Sequence, residues 1–146
     1  MANAHAVATY ILREAGSMSA MKLQKLLYYA QAWSLVWDDE PLFSDRIEAW
    51  ANGPVVRSVY ATHRGQFEVG TSMFEGAAVG QLTAQQKETV DAVLRAYRGK
   101  SAQWLIDQTH SETPWKVARM GLQDNDRGEA EITLESMGDF FASLPA

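Results

Sequence analysis

Met21-Lys22-Leu23-Gln24-Lys25-Leu26-Leu27-Tyr28-Tyr29-Ala30-Gln31-Ala32-Trp33-Ser34-Leu35-Val36-Trp37 is the stretch that combines the greatest length, helical character and apolar density in the chain. At helical spacing Leu23, Leu27, Ala30 and Trp37 point one way, while Tyr28, Tyr29, Trp33 and Val36 spread around the cylinder. A helix that is apolar on most sides is buried on most sides, so the rest of the chain is expected to pack around it. Its length of about 25 Å is enough to cross a small domain. Lys22, Gln24, Lys25 and Gln31 interrupt the apolar run and argue against a membrane span.

Outward from this helix, the 146 residues fit one domain, 1–146, long enough to bury a core without staples. The absence of cysteine excludes disulfides, thiolate catalysis and cysteine-based zinc sites, and fits a reducing compartment such as the cytoplasm. The N-terminal residues have no basic region followed by a continuous apolar core, so they read as mature protein. A net charge of −5 disfavours unspecific phosphate binding over the whole surface, suits a basic protein partner, and leaves room for a local basic patch.

Local signals place the other elements. Ala4, Val7, Ala8, Ile11 and Ala15 recur at helical spacing between Asn3, an N-cap, and Gly16, a C-terminal stop. Ser17 or Ser19 can cap the central helix, expected at about 20–37, and Asp38 to Pro41 end it. Leu42-Phe43 and Ile47 to Trp50 suggest a short hairpin over about 41–50, after which Asn52-Gly53-Pro54 reads as a turn into a helix bearing Val55, Val56, Val59 and Tyr60. Residues 66–81 are irregular. They read either as a contact surface or as a loop laying Phe67 and Phe74 on the core. Thr83 with Gln86 forms a capping box, Ser101 caps a shorter helix, Thr113-Pro114 opens another, and Leu134, Met137, Phe140, Phe141 and Leu144 mark a terminal helix. Gly121 to Glu131 reads as a solvated acidic loop, and Trp104 and Trp115 as core. The expected fold is therefore mainly α, a compact bundle of about six helices around the central one.

No catalytic constellation emerges. His110-Ser111-Glu112 matches half of a zinc-deaminase signature whose other half requires cysteine. The histidines at 5, 63 and 110 lie on different expected elements, so no metal site and no cofactor is expected. The spacing of Asp124, Asp126, Glu129 and Glu131 is not that of an EF-hand loop, and phosphate-cradling and nucleophile-elbow motifs are absent. Arg95, Arg98 and Lys100, and Lys116 with Arg119, are explained by helix dipoles, so direct DNA binding is not expected.

Leu23-Gln24-Lys25-Leu26-Leu27-Tyr28-Tyr29-Ala30-Gln31 with Trp33, followed in order by Pro41-Leu42-Phe43, Ile47-Glu48-Ala49-Trp50, Gly53-Pro54-Val55-Val56, Val59-Tyr60, Thr109-His110-Ser111-Glu112 and Pro114-Trp115, resembles the Panacea antitoxin domain family, to which SocA-like and GepA-like proteins belong. The resemblance spans roughly residues 5 to 142 and departs in the 66–81 loop and before Ile132. It implies a mainly helical, non-enzymatic bacterial or phage antitoxin that neutralises a cognate protein toxin by direct contact. Alternatives are an adaptor that delivers its partner to a protease and a phage-associated interaction protein.

The candidate residues are Gln24, Lys25, Tyr29, Trp33, Glu48, Trp50, Gly53, Pro54, His110, Glu112 and Trp115. Two arrangements remain open for them. Lys22, Lys25, Tyr29 and Trp33, met by Glu48 and Trp50, can form a partner-binding face, or they can form an internal polar network in which Gln24 or Lys25 reaches Glu48.

Overall fold

A computed structural model of the chain describes residues 2–74 and 79–145. Helix α1 (Ala4–Ala15) leads through strand β1 (Met18–Ser19) into the central α2 (Ala20–Trp37). Strands β2 (Ile47–Trp50) and β3 (Gly53–Val56) precede α3 (Arg57–His63), followed by β4 (Glu68–Val69) and two 3-10 turns, Thr71–Phe74 and Val79–Gln81. Then come α4 (Ala84–Tyr97), α5 (Ala102–Ser111), α6 (Thr113–Ala118), β5 (Glu131–Ile132) and α7 (Leu134–Ala142). The mainly helical architecture with a small antiparallel sheet agrees with expectation.

α2 is the hub, packed by α1, α4, α5, α7 and β3. Leu23, Leu26, Leu27, Tyr28, Tyr29 and Ala30 have no accessible surface. Each leucine so buried contributes about 1.5–3 kcal/mol over an exposed one. The caps follow from local chemistry. Asn3 accepts from the Ala6 amide, Ser19 from Lys22, Ser101 from Trp104, and Thr83 and Gln86 bond reciprocally. Gly16, at φ 86°, ends α1 in a backbone region that side chains disfavour.

The hairpin is displaced from its expected place. Ile47–Trp50 pairs antiparallel with Gly53–Val56, from Ile47 opposite Val56 to Trp50 opposite Gly53, while Leu42 and Phe43 are buried without belonging to a strand. Pro54 therefore lies within a strand, and the helix begins at Arg57. The acidic segment ends in β5, which pairs with the other side of β2, giving the order β3-β2-β5. β4 pairs with β1, so the 66–81 segment is tied to the start of α2. Within it Phe74 is buried and Phe67 is 82% exposed, whereas 75–78 lies outside the described residues. Trp104 is not core: it is 39% exposed, with the Lys100 ammonium over its ring. Ser101 starts α5 with the side chain at 104 turned outward, and Leu105 and Ile106 supply the buried contacts.

Candidate functional site

The polar residues of α2 point into the protein, and most of them hold backbone. In β3 the outward-facing groups are those of Pro54 and Val56, because Gly53 and Val55 turn theirs toward β2. The Gln24 carboxamide accepts from the Val56 amide at 2.8 Å and donates to the Val56 carbonyl at 3.3 Å. Lys25 Nζ donates to the Pro54 carbonyl at 3.1 Å, and proline has no N–H left over. α2 thus supplies with side chains what a further strand would supply with backbone. Two turns later Gln31 does the same for a strandless segment, accepting from the amides of Leu42 and Phe43 and donating to the Phe43 carbonyl.

The expected contact from Gln24 or Lys25 to Glu48 is not made. Glu48 is buried and takes Arg46 and Arg57, each at 3.2 Å, with the Trp50 indole N–H at 2.9 Å. These three donors occupy its oxygens, while α2 meets the backbone of the neighbouring strand. Lys25 enters no ion pair among the described residues, and burial pulls its ammonium down to about 7. Gly53 makes this placement possible. Its φ of 109° suits glycine, and a Cβ there would lie 2.6 Å from Lys25 Cε.

A second network closes the far half of α2. The Tyr29 hydroxyl lies 3.2 Å from both oxygens of Glu112, its ring stacks on Tyr97 at 4.1 Å, and the Tyr97 hydroxyl accepts from the Trp33 indole. Burial pushes the Glu112 carboxyl up to about 7, opposed in part by the Tyr29 hydrogen bond, and raises the tyrosine hydroxyl well above its ordinary range. Glu112 thus belongs with Tyr29 rather than with His110. His110 stacks on Trp115 at 3.9 Å, and Trp115 donates to the Trp50 carbonyl at 2.8 Å, so this aromatic pair supports the hairpin turn. Burial lowers the His110 pKa.

Between the hairpin turn, the start of α2, α3 and the segment before β5 lies a cleft of about 860 Å³. Gln24, Lys25 and His63 line its inner part, Trp50 and Tyr60 an aromatic wall, and Arg57, Arg64 and Arg127 its cationic side. Trp50 and Tyr60 meet edge to face at 4.8 Å, and Arg57 sits 5.7 Å from the Trp50 ring centre while pairing with Glu48 and Glu129. Of the candidate residues the cleft gathers Gln24, Lys25 and Trp50. Tyr29, Trp33 and Glu112 belong to the separate, partly buried network.

Sequence reasoning did not select His63, Tyr60, Arg57, Arg64 or Arg127 for this place. The available signal was Tyr60 and His63 on one helix face, three residues apart, which the structure brings into edge contact at 5.4 Å. Arg119, read as part of a basic pair, is buried. Its guanidinium binds the carbonyls of Ala49, Gln123 and Asp126 at 3.0, 2.9 and 2.6 Å and organises the acidic segment.

Most of the central helix, the clamped hairpin and the two polar networks lie within a segment, residues 23–116, that matches the family model described as Antitoxin SocA-like, Panacea domain. The chain belongs to this antitoxin-like family. No curated protein and no solved structure matches it. No helix among the described residues is long and apolar enough to cross a membrane.

Proposed function

We propose that the chain is the antitoxin of a toxin–antitoxin pair, acting in the cytoplasm as one domain over 1–146, and that it neutralises its partner by direct protein contact without catalysis. The observation that carries this reading is the family match over residues 23–116. Placement of the matched polar residues supports a binding role over a chemical one. Gln24 and Gln31 are occupied by the chain's own backbone, and Glu112 by Tyr29, leaving these groups as scaffold. α1 and α7, outside the match, pack on the same α2. Affinity then rests on a few anchors on the remaining surface, rimmed by polar groups.

The test is to express the product of the adjacent gene with and without this chain, following growth and partner abundance. Arrest by the neighbour alone, relief on co-expression, and recovery of both chains in a stable complex are expected. A neighbour that is harmless, or that stays toxic within a complex, defeats the proposal. Relief accompanied by disappearance of the partner would replace occlusion with delivery to a protease.

A further inference from the structure

Three features of the cleft converge on one kind of occupant. Lys25 is 1% exposed and donates to one carbonyl; in its ammonium form two further protons have no protein acceptor among the described residues, and no carboxylate pairs with it. A buried cation is costly until a counter-ion and further acceptors reach it. The cleft that Lys25 lines has room for such a group. Its described lining carries Lys25, Arg57, Arg64 and Arg127 against the single carboxylate of Glu129, in a chain whose net charge is −5. Arg57 is engaged by Glu48 and Glu129, but Arg64 makes no side-chain hydrogen bond or ion pair among the described residues. The Arg127 side chain is 92% exposed and only 3.5 Å from Glu129. Beside these cations stand the Trp50 and Tyr60 rings, which supply apolar area for a neighbouring group.

We propose that this cleft receives an acidic segment of the protein partner, one carboxylate lying toward Lys25 between Arg64 and Arg127 and an adjacent aromatic or aliphatic side chain lying against Trp50 and Tyr60. The identity of the occupant as a protein segment rests on the antitoxin reading; the cleft's preference for an anion does not. A single carboxylate fits better than a polyphosphate, because Glu129 stands on the same rim and the overall negative charge opposes concentrated negative charge. The local cationic lining also reverses what net charge alone suggests, a basic partner.

The experiment pans a displayed random-peptide library on the intact chain and on a variant carrying Arg64→Glu and Arg127→Glu. Arg64→Ala with Arg127→Ala serves as a second variant, and thermal unfolding verifies that each is folded. Enriched peptides are then labelled and titrated by fluorescence anisotropy. Sequences pairing Asp or Glu with an aromatic or aliphatic neighbour are expected, with binding weakened by roughly tenfold when the acid becomes its amide or when the arginines are reversed. An absence of enriched peptides, enrichment without acids, or binding indifferent to both variants overturns the proposal. Displacement of the peptide by GTP at matching concentration overturns it in favour of a nucleotide site. Because panning uses no toxin, acidic peptides that bind at the arginines while co-expression gives no protection would sink the antitoxin reading and leave the anion site standing.

Discussion

The two halves of α2 bury opposite charges and handle them differently. Near its start Lys25 lies beneath a cleft with one carbonyl for a partner; farther along, Tyr29 reaches past an aromatic cluster to the carboxyl of Glu112. No ion pair joins the two among the described residues. Both groups pay desolvation and are moved toward about 7 from opposite sides. The difference teaches that the carboxyl at the far end is met by a hydroxyl of the chain itself, whereas the end at the cleft still has donors to offer.

The largest expected effect is at the Glu112 end. Tyr29→Ala removes a ring stacked on Tyr97 and should cost about 3–5 kcal/mol in chemical denaturation, against about 1–2 kcal/mol for Tyr29→Phe, which loses only the hydroxyl contact to Glu112. Equal losses would show that the ring packing contributes nothing. Next come the clamps: Gln24→Leu leaves the Val56 amide and carbonyl unpaired and should cost about 2–4 kcal/mol, with hydrogen exchange at Val56 accelerating more than exchange in α4. Uniform acceleration across both elements would mean that the edge contact is not local.

The dependence on pH has opposite signs at the two ends. Glu112 titrates at about 7 when folded and at the ordinary 4.5 when unfolded. Folding therefore takes up a proton between these values, and the associated stability is full below 4.5 and lost as pH rises to about 7. The difference between wild type and Glu112→Gln should fall by at most about 3 kcal/mol over that window. Using the difference removes the opposing contribution of His63 and His110, whose lowered values favour the folded state as pH rises. Lys25, held at about 7 against an ordinary 10.5, releases its proton on folding. Wild type should gain stability relative to Lys25→Met between these values. Denaturation midpoints in matched buffers measure both limbs, and a wild-type-minus-mutant difference that stays flat removes the assigned group.

Much of the helical frame was legible because its signals are local. Asn3, Ser19, Ser101 and the Thr83–Gln86 pair each act within one turn of their own helix. The sheet was less legible because its reasons are tertiary. Pro54 looked like the first residue of a helix, but a proline needs no partner for an amide and is equally at home on an edge strand. Leu42 and Phe43 looked like a strand because they are apolar; their amides go to a glutamine carboxamide twelve or fewer residues away, which periodicity cannot reveal. β5 has only two residues and borrows its order from β2.

The candidate site was legible in part for the same reason. Gln24, Lys25 and Trp50 stood out by type, but their company did not. Glu48 was expected to meet α2, yet two arginines from its own side of the fold reach it first. Arg64 and Arg127 carry no local signal at all and line one cleft only because α3 and the segment before β5 flank the same turn.

The side-chain clamps along β3 have a consequence for colloidal behaviour. A sheet edge with free amides and carbonyls is a template on which another chain can add itself, and proteins protect such edges by covering them. Here the cover is a carboxamide and an ammonium projected from a helix, with a proline where an amide would otherwise point outward. Gln24 and Lys25 therefore do more than stabilise the fold. They keep the edge from acting as a seed for intermolecular β-pairing.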